Sequence, residues 1–379
     1  MSRLKLKLLS YRRPFLQPLQ TSRGSWGVRE GVLLRIEAEG ATPMAPLESQ
    51  VGVVSLRAYR QFGYGEVAPL PAFGTESLAE AESILSALET TPTAEWPTID
   101  HLAKIAPATA FGLASAFCFL SEKPGSDTAW LTPPVEPSAT RSRAAGLSHT
   151  GIACAGLLPA GPRALEVLEA LLAAGFETFK WKVGALPFVE ERRVAARLFQ
   201  QLHGKGILRL DANAAFTADE TAQWLAFLQN YPVEFFEQPM AVGCEAEMAV
   251  LAERYGVAIA LDESVGSPAA AAAMQARFPR GPFVLKPAIG GPPGGWLDWQ
   301  RRAPVSRTVY SSVFETSIGF DAVLRLALAD PHSCEAAGFG TLQAFGQDDF
   351  LLHQPGPLIR PLEHPEVDCA YLWKQTARS

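Results

Sequence analysis

The chain has 379 residues, 48% of them hydrophobic, with 33 Lys and Arg against 39 Asp and Glu and a net charge of −6. That length and apolar content support a sizeable core, in one large domain or a large domain with a smaller one. The charge lacks any basic block, which argues against nucleic acid as a partner, and no apolar run approaches the roughly 20 residues that span a bilayer.

The start, MSRLKLKLLSYRRPF, is basic and alternating and lacks the long apolar core of a secretory signal, so a cytoplasmic protein is expected. Alternation in RLKLKLL, a Gly/Ser-rich turn at TSRGSWG and a second strand-like run in EGVLLRIEAEG predict an antiparallel meander that continues through GYGEVAPLP. ESLAEAESILSAL and APATAFGLASAFCFL then carry helical periodicity. A small α+β domain over 1–130 is the reading, with a Pro-rich return of the chain to it over 350–379.

From Gly151 short apolar or β-branched runs alternate with amphipathic helix patterns: GIACAGLL, TFKWKVG, ILRLDAN, VEFFEQP, AIALDES, FVLKPAI and TVYSSVFE. Such repetition is the signature of βα units on a parallel sheet, and so many in succession favour a closed barrel over 131–349. No G-x-G-x-x-G turn follows the first strand, which speaks against a dinucleotide site. The five cysteines, Cys118, Cys154, Cys244, Cys334 and Cys369, stand singly, without zinc spacing or a dense disulfide framework, and read as small buried apolar residues.

Each later strand ends on a charge: Lys182, Asp211, Glu237, Asp262 and Lys286, at intervals of 29, 26, 25 and 24 residues. One charge per βα unit, at one place in each unit, puts all five around the mouth where barrel enzymes do their chemistry. Three carboxylates on adjacent strands raise each other's pKa unless a cation sits among them. Asp211, Glu237 and Asp262 are therefore candidate ligands of a hard divalent ion, magnesium above all, with manganese able to replace it and with positions open to a substrate. Lys182 and Lys286 flank the trio and suit proton abstraction beside a carboxylate. Lys180, one pleat from Lys182 on the same face, is expected to help lower the pKa of Lys182 by its charge, while Trp181 points toward the helices.

The set KWK at Lys180–Lys182, LDAN ending at Asn213, FFEQP around Glu237, LDES around Asp262 and LKP around Lys286 resembles the muconate-lactonising branch of the enolase superfamily. GYGEVAPLP and the helix that follows resemble that family's capping domain, so the resemblance implies a (β/α)7β-type TIM barrel with an α+β N-terminal cap. RLDAN, KPAIGG and SSVFETSIG are most similar to the o-succinylbenzoate synthase family within the branch, though dipeptide epimerases and N-acylamino acid racemases carry similar segments.

What the resemblance implies is a dehydration that yields an aromatic succinylbenzoate in menaquinone or phylloquinone synthesis, with a small carboxylate as substrate, Lys182 as the base and Lys286 as a cation over the ring. Arg209, Gly290, Gly291, Ser311 and Ser312 fall where substrate contacts are expected, Asn213 where it would support the site, and Arg23 and Trp26 in the capping loop. ATPMAPLESQVGVVSLRAYRQF, over 41–62, reads as an insertion in the cap. A non-catalytic metal-binding barrel is the competing class, disfavoured because five buried charges cost a scaffold stability without return. The oligomeric state is open.

Overall fold

The computed structural model describes residues 4–21, 24–38, 62–120, 151–278, 281–302, 307–330, 333, 335–346 and 348–377. Strands β1 (Leu4–Thr21), β2 (Gly24–Ala38) and β3 (Phe62–Val67) form an antiparallel sheet in that order. Pro14 cannot donate to the ladder, and the register of β1 on β2 shifts between Pro14 and Leu19. Helices α1 (Leu78–Thr90), α2 (Ile99–Ile105) and α3 (Pro107–Leu120) cover the sheet. A reciprocal Ser77–Glu80 capping box starts α1. The backbone of α3 lies close on β3, since a Cβ at Gly65 would stand 2.0 Å from the Gly112 carbonyl oxygen.

The second part begins with β4 (Ile152–Ala153), β5 (Gly156–Leu158), α4 (Ala164–Ala173), β6 (Thr178–Lys182), α5 (Phe188–Leu202), β7 (Ile207–Asp211) and α6 (Ala218–Leu228). It continues with β8 (Val233–Glu237), α7 (Glu245–Tyr255), β9 (Ile259–Ala260), α8 (Pro268–Arg277), β10 (Phe283–Leu285), the short α9 (Pro287–Gly290), α10 (Pro293–Arg302), β11 (Thr308–Tyr310) and α11 (Ser317–Ala329). Strands β5 to β9 form one parallel sheet and β10–β11 a parallel pair. Parallel bridges Leu261–Phe283, Ser311–Gly338 and Cys154–Ala337 join these into a closed ring. The last stave, at Ala337–Gly338, is followed by a 3-10 turn, Gly340–Ala344, so the architecture is a (β/α)7β barrel with an α+β cap.

The chain then returns: β12 (Leu358–Ile359) pairs with β4, and α12 (Pro365–Thr376) buries Cys369, Leu372 and Trp373 against Tyr11, Leu33 and Tyr64 of the capping sheet. Cys118, Cys154, Cys244 and Cys369 form no disulfide, and burial pushes the Cys154 thiol up to about 12, in keeping with inert packing. Cys334, Arg23 and most of the 41–62 segment lie outside the described residues. Trp26 is partly buried and meets Phe15 and Phe314 edge-on, joining the β1–β2 hairpin to the segment after β11.

Side chains inside the barrel stack in layers because alternate residues of each strand point inward. Phe235, Ala260, Val284 and Val309 form one apolar layer, and Glu237, Asp262, Lys286 and Ser311, each two residues further along, stand above it at the C-terminal mouth. Trp181 faces the other way: fully buried, it meets Trp224 of α6 edge-on and donates its indole N–H to the Pro159 carbonyl at 3.1 Å.

Candidate active site

The ladder sets the geometry of the mouth. Lys182 lies in register with Asp211, and Asp211 with Glu237. Glu237 pairs with Ala260, so Asp262 stands one pleat higher. Lys286 follows β10 on the next stave. The five strand-end charges therefore surround one opening, with Lys180 beneath Lys182 on the same face.

Lys180 reaches up between two carboxylates, 2.9 Å from Asp211 Oδ2 and 2.7 Å from Glu237 Oε1. Although burial opposes it, the charge on Asp211 and Glu237 holds Lys180 well above the ordinary lysine range, a permanent cation. Burial moves Lys182 the other way, below the ordinary range; Asp211 resists and the Lys180 charge adds to the depression. The charge argument for the Lys180–Lys182 pair thus has the right sign, with burial as the larger cause. Lys286 contacts Asp262 directly, and Asp262 and Glu263 outweigh burial to hold it above the usual range. The two flanking lysines are thus shifted in opposite directions.

Burial, with the charge of Asp211, pushes Glu237 up to about 8, whereas Lys180 keeps Asp211 below the usual carboxylate range against the effect of burial. Among the described residues no three acidic, histidine or cysteine side chains are gathered as a chelating group; the carboxylates turn onto the lysines instead. The donor chemistry nonetheless fits a hard divalent cation: every donor is a carboxylate oxygen, all three side chains are nearly sealed from water, and burial with the charge of Asp211 drives Glu237 toward neutrality even beside the Lys180 ammonium.

Supporting contacts hold the ring in place. Asn213, in the left-handed region at φ 45, donates its backbone N–H to Asp211 Oδ1 at 3.0 Å, a supporting position. Gln238, fully buried, accepts the Asp262 backbone N–H at 2.9 Å and donates to Ser264 Oγ at 2.9 Å, tying one strand end to the next. Glu191 of α5 accepts the N–H groups of Gly184, Ala185 and Leu186 and so pins the turn that follows Lys182. Gln238 was visible within FFEQP, beside Glu237; Glu191 carried no sequence signal, being one acid among several on a helix.

Other expected contacts stand differently. Arg209 is not at the mouth: it sits one layer lower, level with Lys180 in the ladder, and its guanidinium is taken up by Glu234 at 2.7 Å and the Ala336 carbonyl at 2.6 Å. Only 1% exposed, it braces the barrel interior below the mouth, its guanidinium engaged by these partners. Gly290 is buried where a Cβ would come 2.5 Å from the Trp296 ring, and Gly291 has φ +110, so packing and turn geometry account for both glycines. Ser311, inward and next to the mouth, donates weakly to the Gly338 carbonyl at 3.3 Å, and Ser312 is hydrogen-bonded to Thr341. A pocket of 240 Å³ opens at the mouth between the cap and the barrel, lined by Phe73, Val242, Asp262, Glu263, Lys286 and Ile289 among others.

Barrel, cap and acidic mouth define a member of the enolase superfamily. A family described as "Enolase C-terminal domain-like" matches residues 163–277, and one described as "MenC, N-terminal domain" matches residues 45–120. The latter match begins inside the segment read as an insertion. A curated o-succinylbenzoate synthase of Thermosynechococcus vestitus is 32% identical over 334 residues, covering 87% of this chain and 90% of that protein. Its counterpart in Pectobacterium atrosepticum is 31% identical over 73% of this chain and 77% of that one. The crystal structure of o-succinylbenzoate synthase from Thermosynechococcus elongatus, with Mg in its active site, is 30% identical and superposes with a TM-score of 0.71 over 92% of this chain and 96% of that one. Muconate lactonizing enzyme from Pseudomonas putida, at 17% identity and a TM-score of 0.73 over 100% of this chain and 99% of that one, shares the fold. The chain belongs to the o-succinylbenzoate synthase family.

Proposed function

We propose that the protein dehydrates 2-succinyl-6-hydroxy-2,4-cyclohexadiene-1-carboxylate to o-succinylbenzoate, acting as a carbon–oxygen lyase in menaquinone or phylloquinone synthesis. The observation that carries this is the opposite direction in which the surroundings move the two lysines at one carboxylate-lined mouth: burial draws Lys182 below the ordinary range, while Asp262 and Glu263 hold Lys286 above it against burial. Asp211, Glu237 and Asp262 would hold magnesium, which supplies Lewis-acid charge to the substrate carboxylate when bound.

The Lys182 amine takes the proton from the ring carbon alpha to the carboxylate, and the released electron pair delocalises into that carboxylate. As the pair returns to form the ring double bond, the carbon–oxygen bond to the hydroxyl breaks, and the Lys182 ammonium returns its proton to the departing oxygen, giving water and an aromatic ring. Lys286 stays charged and faces the anionic ring electrostatically. Lys180 holds the Asp211–Glu237 side of the mouth and keeps a positive charge below Lys182. A racemase or epimerase would need Lys286 as a second base, and the hold of Asp262 on that ammonium does not favour it. Absorbance-followed conversion of the cyclohexadiene carboxylate with added magnesium, and its loss in excess chelator, tests the proposal. A folded protein that releases no succinylbenzoate under these conditions would refute it.

A further inference from the structure

The cap contributes an aromatic ring to the mouth that no sequence motif announced. Phe73 ends the single 3-10 turn Pro71–Phe73, and its ring lies 4.9 Å from the Lys286 ammonium, measured to the centroid. That distance is within the range in which a cation is drawn to a ring face. Phe73 is 41% exposed and lines the 240 Å³ pocket together with Lys286, Asp262 and Glu263. Leaving a phenyl ring so open forgoes much of the gain from burying it, so core packing does not account for its position.

The turn that carries this ring is held by a set of hydrogen bonds. Arg29, 2% exposed, donates to the Pro69 carbonyl at 2.9 Å and also to the Ala68 carbonyl. Leu70 donates its N–H to Thr75 Oγ1 at 2.7 Å, Phe73 its N–H to the Leu70 carbonyl at 2.8 Å, and Gly74 its N–H to the Pro71 carbonyl at 3.0 Å. Gly74 closes the turn in the left-handed region at φ 86. Glu76, just beyond, accepts the Thr109 N–H at 2.7 Å and the Ala108 N–H at 3.3 Å at the start of α3. The backbone that carries the ring is therefore tied to the body of the cap, while Lys286 belongs to the barrel.

We infer that Phe73 is a positioning residue for Lys286: its ring face and the Asp262 carboxylate together hold the ammonium at the pocket wall, so that docking of the cap orients the cation that faces the substrate ring. This rests on the proposed dehydration for its catalytic consequence, but the contact itself is independent of it. Phe73 acts through Lys286 and takes no part in proton transfer.

Two measurements test the inference. The first needs no ligand: a denaturation double-mutant cycle of Phe73→Leu and Lys286→Met, in which the pair is expected to couple by about fivefold in the unfolding equilibrium constant. Additive effects would overturn the inference. The second is steady-state turnover of Phe73→Leu and Phe73→Trp. Loss of the π-face in the Leu variant is expected to lower kcat about fivefold with KM changed less than twofold, and Trp, which keeps a face, is expected to restore kcat. A change confined to KM, or equal losses in both variants, would make Phe73 a simple wall and overturn the inference. A wild type that does not turn over the cyclohexadiene carboxylate would refute the proposed function and leave the cycle to decide on the contact.

Discussion

Glu315 lies in the strap between Ser312 and α11 and is 2% exposed. One carboxyl oxygen accepts the Val313 N–H at 2.9 Å, and the other has no hydrogen-bond partner among the described residues. Burial first, then the nearby charge of Glu66, pushes its pKa from the ordinary 4.5 up to about 7. The sign follows from proton counts: between those values the unfolded chain has lost this proton and the folded chain keeps it, so stability falls as pH rises through that window and is level above it. A gap of about 2.5 units corresponds to about 3 kcal/mol. Glu315→Gln is neutral and nearly isosteric, so it is expected to match the wild type at pH 5 and to exceed it at pH 8 by about 1–3 kcal/mol, the lower end if the new amide N–H groups find no acceptor. Urea denaturation of both proteins at pH 5, 6, 7 and 8 reads this directly, because groups common to both cancel in the difference. Parallel stability profiles, or a variant less stable than the wild type at pH 8, would refute the reasoning.

Glu66, on β3 of the cap, accepts from the Tyr11 hydroxyl at 2.6 Å and from the Thr316 and Gly319 backbone N–H groups at 3.0 Å each. Glu66→Ala strands these donors at the start of α11 and is expected to cost about 3–5 kcal/mol in a denaturant titration. Lys180→Met removes the cation beneath Lys182, so the acid limb of the pH profile of kcat/KM is expected to move up by about one unit, with roughly tenfold less activity below neutral pH. Removing divalent metal with a chelator is expected to abolish turnover and to lower the unfolding midpoint, since the buried carboxylates lose a binding partner present only in the folded state; calorimetric titration with magnesium should restore both.

How far the site could be read in advance follows from what each residue encodes. Lys182, Asp211, Glu237, Asp262 and Lys286 were legible because strand alternation fixes the face and the βα interval fixes the stave. Depth within the barrel was not. Arg209 shares a face with Asp211 but lies a layer below it, and its partner Glu234 sits at a register irregularity that pairs Arg209 with Phe235, which no alternation pattern reveals. The last stave, Ala337–Gly338, is too short to show as an apolar run, and its pairing with Cys154 and Ser311 depends on closure of the whole ring. Phe73 escaped notice because Pro-Ala-Phe-Gly reads as a turn, and only the docking of cap on barrel puts its ring against Lys286. Gly290 and Gly291 were visible as special positions, but a glycine required by Trp296 packing and one required by a positive φ look the same in sequence as glycines kept open for a ligand.

The central claim is that Lys182 is the base of a dehydration. The direct measurement is turnover of 2-succinyl-6-hydroxy-2,4-cyclohexadiene-1-carboxylate, with hydrogen or deuterium at the carbon alpha to the ring carboxylate, by wild type and Lys182→Ala in the presence of magnesium. The expected result is rapid formation of o-succinylbenzoate by the wild type, slowed by deuterium if proton abstraction limits the rate, and a loss of at least a thousandfold in a folded Lys182→Ala. A folded Lys182→Ala that turns over within about tenfold of the wild type would contradict the assignment of the base.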